Sequence, residues 1–227
     1  MKTKAEAAEN QDGNSVFPAV KFSLTMAALA TALMMALFSL STAGPLDFWW
    51  RMSVLIALLL GICFAADRSF GKFIASDFRK GPAAKILLGV LSAGLLYGIF
   101  FAANAISRRI FSFAADGINE VYSFQGGASP IRIGLLLGLI IGPGEELFWR
   151  GFLQRVWTSK SSFAGWLSTT GLYTAVHIGS GNIMLVMAAV ACGLFWGALF
   201  LRTRSVLVTA ISHTLWDILI FILFPLT

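Results

Sequence analysis

Charge is what this sequence has least of. Asp, Glu, Lys and Arg make up 12% of its 227 residues, against 57% that are hydrophobic, whereas a soluble globular domain has about a quarter of its residues charged. With a mean hydropathy of +0.79, the surface is not built for water as its main solvent. Each crossing of a ~30 Å hydrocarbon core takes roughly 20 apolar residues. The chain therefore has the length of one all-α, polytopic membrane bundle of about seven spans, with no room for a separate soluble catalytic domain.

Cysteine is nearly missing too. Cys63 and Cys192 each lie inside an apolar run, which reads as two buried free thiols rather than a disulfide or a metal pair. The net charge is +6, but the Lys and Arg residues stand between apolar runs and form no basic patch interleaved with aromatics, which excludes nucleic acid as a partner. The stretch Met1 to Pro18 is polar, carries Glu6, Glu9 and Asp12, and lacks the small-residue cleavage site of a signal peptide. It reads as a disordered tail over 1–20. No internal repeat and no low-complexity stretch is evident.

What is there is a series of apolar runs of spanning length: Phe22 to Thr42, Leu46 to Ala66, Lys85 to Ala105, Ile131 to about Trp157, Ser162 to His177, Ile183 to Leu201 and Val206 to Leu226. They divide into N-terminal transmembrane helices with a surface segment, 21–129, and a helical core, 130–227. Arg68, Lys72, Arg79, Lys80 and Lys85 form the densest basic loop, which the positive-inside rule places in the cytoplasm together with the N-terminus. Arg150, Arg155, Lys160, Arg202 and Arg204 then also lie inside. The turn Gly179 to Asn182 lies outside. Arg108, Arg109 and Arg132 run against that count, since they flank an outer segment, Ile106 to Pro130, that reads as a helix on the membrane surface followed by a loop. The expected location is an integral protein of a bacterial inner membrane.

Ionisable groups at the centre of a membrane helix cost roughly 2.5 to 3.5 kcal/mol each on insertion scales. They are therefore rare, and they pair or line a wet cavity. Here Glu145, Glu146, Arg150, His177, His213 and Asp217 gather on three of the last four spans, and the two histidines are the only ones in the chain. In Gly142-Pro143-Gly144-Glu145-Glu146 the proline removes an amide donor beside two glycines, which predicts a kink or break. Such a break is tolerated at membrane depth only beside protein or a water-filled cavity. Beyond it, Glu146 and Arg150 at i and i+4 share a face and suit an ion pair, leaving Glu145 free to act on water. Asp217 stands at i+4 from His213, a spacing that lets the carboxylate hold the imidazole in one tautomer. Bland readings compete: an interfacial charged turn for the Glu-Glu-Arg group, an interfacial histidine at His177, and a polar clasp between helices at His213.

The ordered set Glu145-Glu146-Leu147-Phe148-Trp149-Arg150, Tyr173-Thr174-Ala175-Val176-His177 and His213-Thr214-Leu215-Trp216-Asp217 resembles the CPBP intramembrane protease family, which includes the CAAX prenyl proteases and bacterial Abi-type proteins. Each motif alone is weak, and the three in order on separate spans are specific; the resemblance covers roughly Gly134 to Pro225. It implies that Glu145 is the water-activating base, that His177 and His213 position the water or a metal, and that Arg150 holds Glu146. It also implies a peptide or protein substrate, prenylated in one branch of the family, reached within membrane lipid. Glu145, His177 and His213 could supply three ligands to a divalent metal such as zinc, or could hold a water by hydrogen bonds alone. No His-Glu-x-x-His is present, so the zinc geometry of soluble metalloproteases does not apply. Tyr173 replaces the usual Phe of the second motif and adds a hydroxyl that must find a partner. Asp217 stands where an Asn often serves as an oxyanion donor, and an ionised Asp cannot donate; either it is protonated or its task is to orient His213, the favoured reading.

Two other classes use the same residues. A non-catalytic scaffold or immunity protein would keep its phenotype without Glu145, His177 and His213. A proton-coupled transporter would move solute through them and would show inverted repeats.

Overall fold

The computed structural model describes residues 4–40, 46–159 and 161–227, with side chains from Val20 onward. The expected disordered tail, 1–20, lies for the most part outside these described side chains. Among the described residues there are no strands, and the protein is 86% helical. The helices are α1 (Lys4–Ser39), α2 (Phe48–Ala66), α3 (Arg68–Arg79), α4 (Pro82–Ile110), α5 (Ala114–Ser123), α6 (Pro130–Leu136), α7 (Gly142–Glu146), α8 (Arg155–Trp157), α9 (Ser162–Ile178), α10 (Ile183–Thr203) and α11 (Val206–Ile218). Many starts are set by short polar side chains that accept a hydrogen bond from an amide of the first turn: Asp47 from Trp50, Asp67 from Ser69, Ser161 from Ala164, Asn182 from Leu185 and Ser205 from Val208.

Five helices are long and apolar enough to cross a membrane: Val20–Ser39, Phe48–Ala66, Pro82–Ile110, Ile183–Thr203 and Val206–Leu223. The other two expected spans depart from plain long helices. One is the 17-residue α9. The other, Ile131 to Trp157, is helical throughout but in pieces, because π-helical turns at Leu137–Ile141 and Leu147–Gln154 flank α7. The expected break at Pro143 is therefore absent. Proline has no amide to donate, and the chain absorbs the loss by widening its turns while Ile141, Gly142 and Leu147 keep right-handed helical dihedrals. A further π turn, Leu219–Leu223, closes α11.

The outward faces are oily. On α4, Gly89, Ser92, Ala93 and Leu96 are buried while Leu87, Leu91 and Leu95 are exposed. An apolar residue facing out beside a small or polar one facing in is the arrangement expected where lipid is the solvent. The helix carrying the glutamates lies close along α11 through glycines one helical turn apart: Gly134 faces Ile222, Gly138 faces Ile218 and Gly142 faces Thr214. Small residues spaced in this way let two backbones approach. At Gly142 the approach is closest, since an added Cβ would stand 2.8 Å from Thr214 Oγ1 and 3.2 Å from its Cα.

Polar ties gather at the two ends. At one end, Asp67 pairs with Arg155, Asp77 pairs with Lys85 and accepts from the Leu207 amide, and Arg204 reaches Thr158. At the other, Arg132 pairs with Asp47, and Asn182 donates to Gly117 O and Glu120 Oε2. The second set ties α5, the helix expected on the membrane surface, to the start of α10. Of the basic residues that the charge count placed inside, Lys85, Arg155 and Arg204 take part in the first set, and Arg150 is buried in the core at 1% exposure.

Candidate active site

Glu145 and Glu146 come from α7, Arg150 from the π stretch that follows, Tyr173 and His177 from α9, and His213 and Asp217 from α11. All seven are buried. Glu145, Tyr173, His177, His213 and Asp217 line one cavity of about 500 Å³, while Glu146 and Arg150 lie behind it.

Glu146 is the hub. Its Oε1 accepts a hydrogen bond from His213 Nδ1 at 3.0 Å, and its Oε2 lies 3.3 Å from Arg150 Nε. The ion pair expected from the i,i+4 spacing is present, although its angle is not that of a regular hydrogen bond. Glu146 takes His213 Nδ1, while Asp217 Oδ2 faces the other ring nitrogen, Nε2, at 3.6 Å, an i,i+4 ion-pair distance longer than a hydrogen bond.

Trp196 of α10 carries the other side of His213. The two rings stack at 3.7 Å between centroids and 21° between planes, and the indole donates to Ser212 Oγ at 3.2 Å. Arg150 Cζ lies 5.0 Å from the Tyr173 ring centre and 6.0 Å from that of Trp196, so its charge sits between two aromatic faces. The sequence reading missed Trp196. A signal existed: an indole N–H in the middle of an apolar span needs a partner.

His177 is fixed within its own helix. Its Nδ1 donates to Tyr173 O at 2.7 Å, which leaves Nε2 as the acceptor of the neutral ring, and Phe38 and Tyr173 pack on the imidazole at 4.9 and 4.8 Å. Glu145 Oε2 has no hydrogen-bond partner among the described residues. The pocket thus holds a carboxylate with a spare oxygen, an imidazole with a spare lone pair and a second imidazole set by a buried carboxylate. These are the elements of water activation beside a stabilised oxyanion.

The alternative expectation, a metal on Glu145, His177 and His213, meets a different arrangement. Among the described residues no three His, Cys, Asp or Glu side chains are gathered as a bound ion would need. The donors as placed do not fit a metal, and no step below runs through one.

Residues 127–219 match the family described as type II CAAX prenyl endopeptidase, Rce1-like. That segment contains all the motif residues from Glu145 to Asp217, and it matches the CPBP and CAAX protease family to which the three motifs pointed. The matched segment is similar to a CAAX-type endopeptidase domain, and the long apolar helices fit a protein embedded in a membrane. Helices α1 to α5 fall outside the matched residues. No curated protein and no solved structure matches the chain.

Proposed function

We propose that this protein hydrolyses peptide bonds inside the membrane by a glutamate-activated water. The observation that carries the reading is the shared cavity, into which Glu145, Tyr173, His177 and His213 all open. Glu145 takes a proton from water, with His177 Nε2 accepting the second hydrogen bond of that water. The oxygen attacks the substrate carbonyl. The oxyanion forms beside His213, which is backed by Glu146 and Trp196, and beside the Tyr173 hydroxyl. Glu145 then returns its proton to the leaving amine as the C–N bond breaks. Asp217 lies on the Nε2 side of the same imidazole.

The substrate class follows from the lining. Around the polar groups the cavity is walled by Phe48, Trp49, Met52, Phe100, Leu137 and Trp216, which suits a peptide with an apolar or prenylated residue next to the scissile bond. The basic residues Arg68, Lys72, Arg79 and Lys80 between α2 and α4, with Arg202 and Arg204 at the end of α10, support a cytoplasmic N-terminus by the positive-inside rule.

The test is a comparison of membrane peptides between cells carrying the wild type and cells carrying Glu145→Gln, His177→Ala or His213→Ala. Each substitution abolishes cleavage while the protein stays in the membrane. Retained turnover in any two overturns the reading, and an unchanged phenotype in all three assigns the protein to the non-catalytic scaffolds.

A further inference from the structure

Beyond α11 the chain leaves its π turn at Phe224, with φ −139° and ψ 66°, and continues without helix or strand. A segment outside regular structure makes no ladder of its own, so its buried main-chain groups need outside partners. Leu226 finds them on side chains of α4 and α5. Its N–H donates to Tyr122 Oη at 2.8 Å, and its carbonyl accepts from Asn104 Nδ2 at 3.1 Å and Arg108 Nη2 at 3.3 Å. These groups are themselves fixed: Arg108 Nε donates to Asn104 Oδ1, and Tyr122 Oη donates to Ile220 O. The Tyr97 hydroxyl holds the Phe224 carbonyl in the same way.

The Leu226 side chain is 8% exposed. It lines the same cavity as Glu145, His177 and His213, and so do Asn104 and Tyr122. Polar side chains that bond only main-chain N–H and C=O bind an extended peptide without reading its sequence. A peptidase needs such groups beside its cavity.

We propose that Asn104, Arg108 and Tyr122 form a main-chain-binding subsite for the peptide substrate, and that the protein's own Phe224–Leu226 segment is its resident occupant, displaced when a substrate enters. The proposal deepens the peptidase reading and rests on it for the identity of the incoming ligand. A site that is free for about a tenth of the time binds about tenfold more weakly than one always free. Releasing the resident segment therefore tightens binding, while removing the cradle weakens it.

The experiment uses the full chain in detergent, in a Glu145→Gln background so that binding is read without hydrolysis. The probe is a fluorescently labelled peptide of the sequence from Phe221 to Thr227, with an Asp-for-Leu version as control. Adding Leu226→Asp tightens binding of the probe about tenfold, and adding Asn104→Ala to that variant removes the gain. If Leu226→Asp does not fold, Leu226→Ala carries the same comparison with a smaller gain. Equal binding with and without the Leu226 substitution, or a gain that survives Asn104→Ala, overturns the proposal and leaves a structural clasp. With Glu145 restored, a binding gain without cleavage of any peptide sinks the peptidase reading and keeps the subsite. Cleavage by the wild type with no gain on releasing Leu226 sinks the subsite alone.

Discussion

Gly142→Ala tests whether the close approach of α7 and α11 sets the active-site geometry. The added methyl would lie 2.8 Å from Thr214 Oγ1, 3.0 Å from Leu137 O and 3.2 Å from Thr214 Cα, where ordinary contacts fall at 3.4 to 4 Å. Two of these three atoms are backbone, so a rotamer change cannot absorb the clash and α11 must shift by a few tenths of an ångström. Overpacking of this kind costs about 1 to 3 kcal/mol. His213 is the neighbour of Thr214, and its 3.0 Å bond to Glu146 spans the same two helices. A displacement of ~1 Å costs on the order of 100-fold in rate, so a shift of a few tenths corresponds to roughly three- to tenfold. The measurements are thermal unfolding in detergent, followed by tryptophan fluorescence, and the cleavage rate of a peptide. Gly138→Ala is the control, because its methyl would meet only Ile218 Cδ1 at 3.7 Å, and Ala is the better helix former by about 1 kcal/mol. If both variants keep wild-type stability and rate, close helix approach does not govern the site.

Three other outcomes follow from the same contacts. Glu146→Gln leaves Arg150 as a buried charge without its carboxylate and destabilises the protein by about 3 to 5 kcal/mol, read as a lower unfolding temperature; an unchanged one would mean that Arg150 is compensated elsewhere. Trp196→Leu removes the stack under His213, worth about 0.5 to 1.5 kcal/mol, and lowers kcat two- to tenfold with KM little changed; an effect confined to KM would refute a role in placing His213. Asp67 lies outside the spans; burial pushes its carboxyl up, but the Ser69 hydrogen bonds and Arg155 outweigh this and hold it below the usual carboxylate value of 3.8. A depressed folded value means stability that is present above the ordinary range and lost as pH falls through the folded one. Unfolding temperature therefore drops below about pH 4, and less steeply in Arg155→Ala than in the wild type; parallel profiles would exclude the pair as the cause.

The residues that cost most to place in lipid were the ones legible in the sequence. Glu145, Glu146, Arg150, His177, His213 and Asp217 stand out because an apolar chain has few such groups, and the structure brings them to one buried region. Helix starts at Asp47, Ser161, Asn182 and Ser205 could be read to within a few residues because each cap is a local event. Contacts between distant segments were not legible. The i,i+4 spacing of His213 and Asp217 gave one neighbour of the imidazole but not Glu146 on its other nitrogen, since spacing along one helix says nothing of how near α7 approaches. The π turns around α7 left no mark on the hydrophobic pattern. Nothing along the chain sets Tyr122, Asn104 and Arg108 against Leu226, which lies 104 to 122 residues away.

The two histidines are held in different ways, and this has a consequence for when the chemistry is available. His177 is set by a carbonyl of its own helix, so its proton position is settled as soon as α9 forms. His213 depends on a carboxylate from another helix. A chain whose helices have inserted but not yet closed together holds one finished imidazole and one unset one, so the proposed hydrolysis would wait for assembly to be complete.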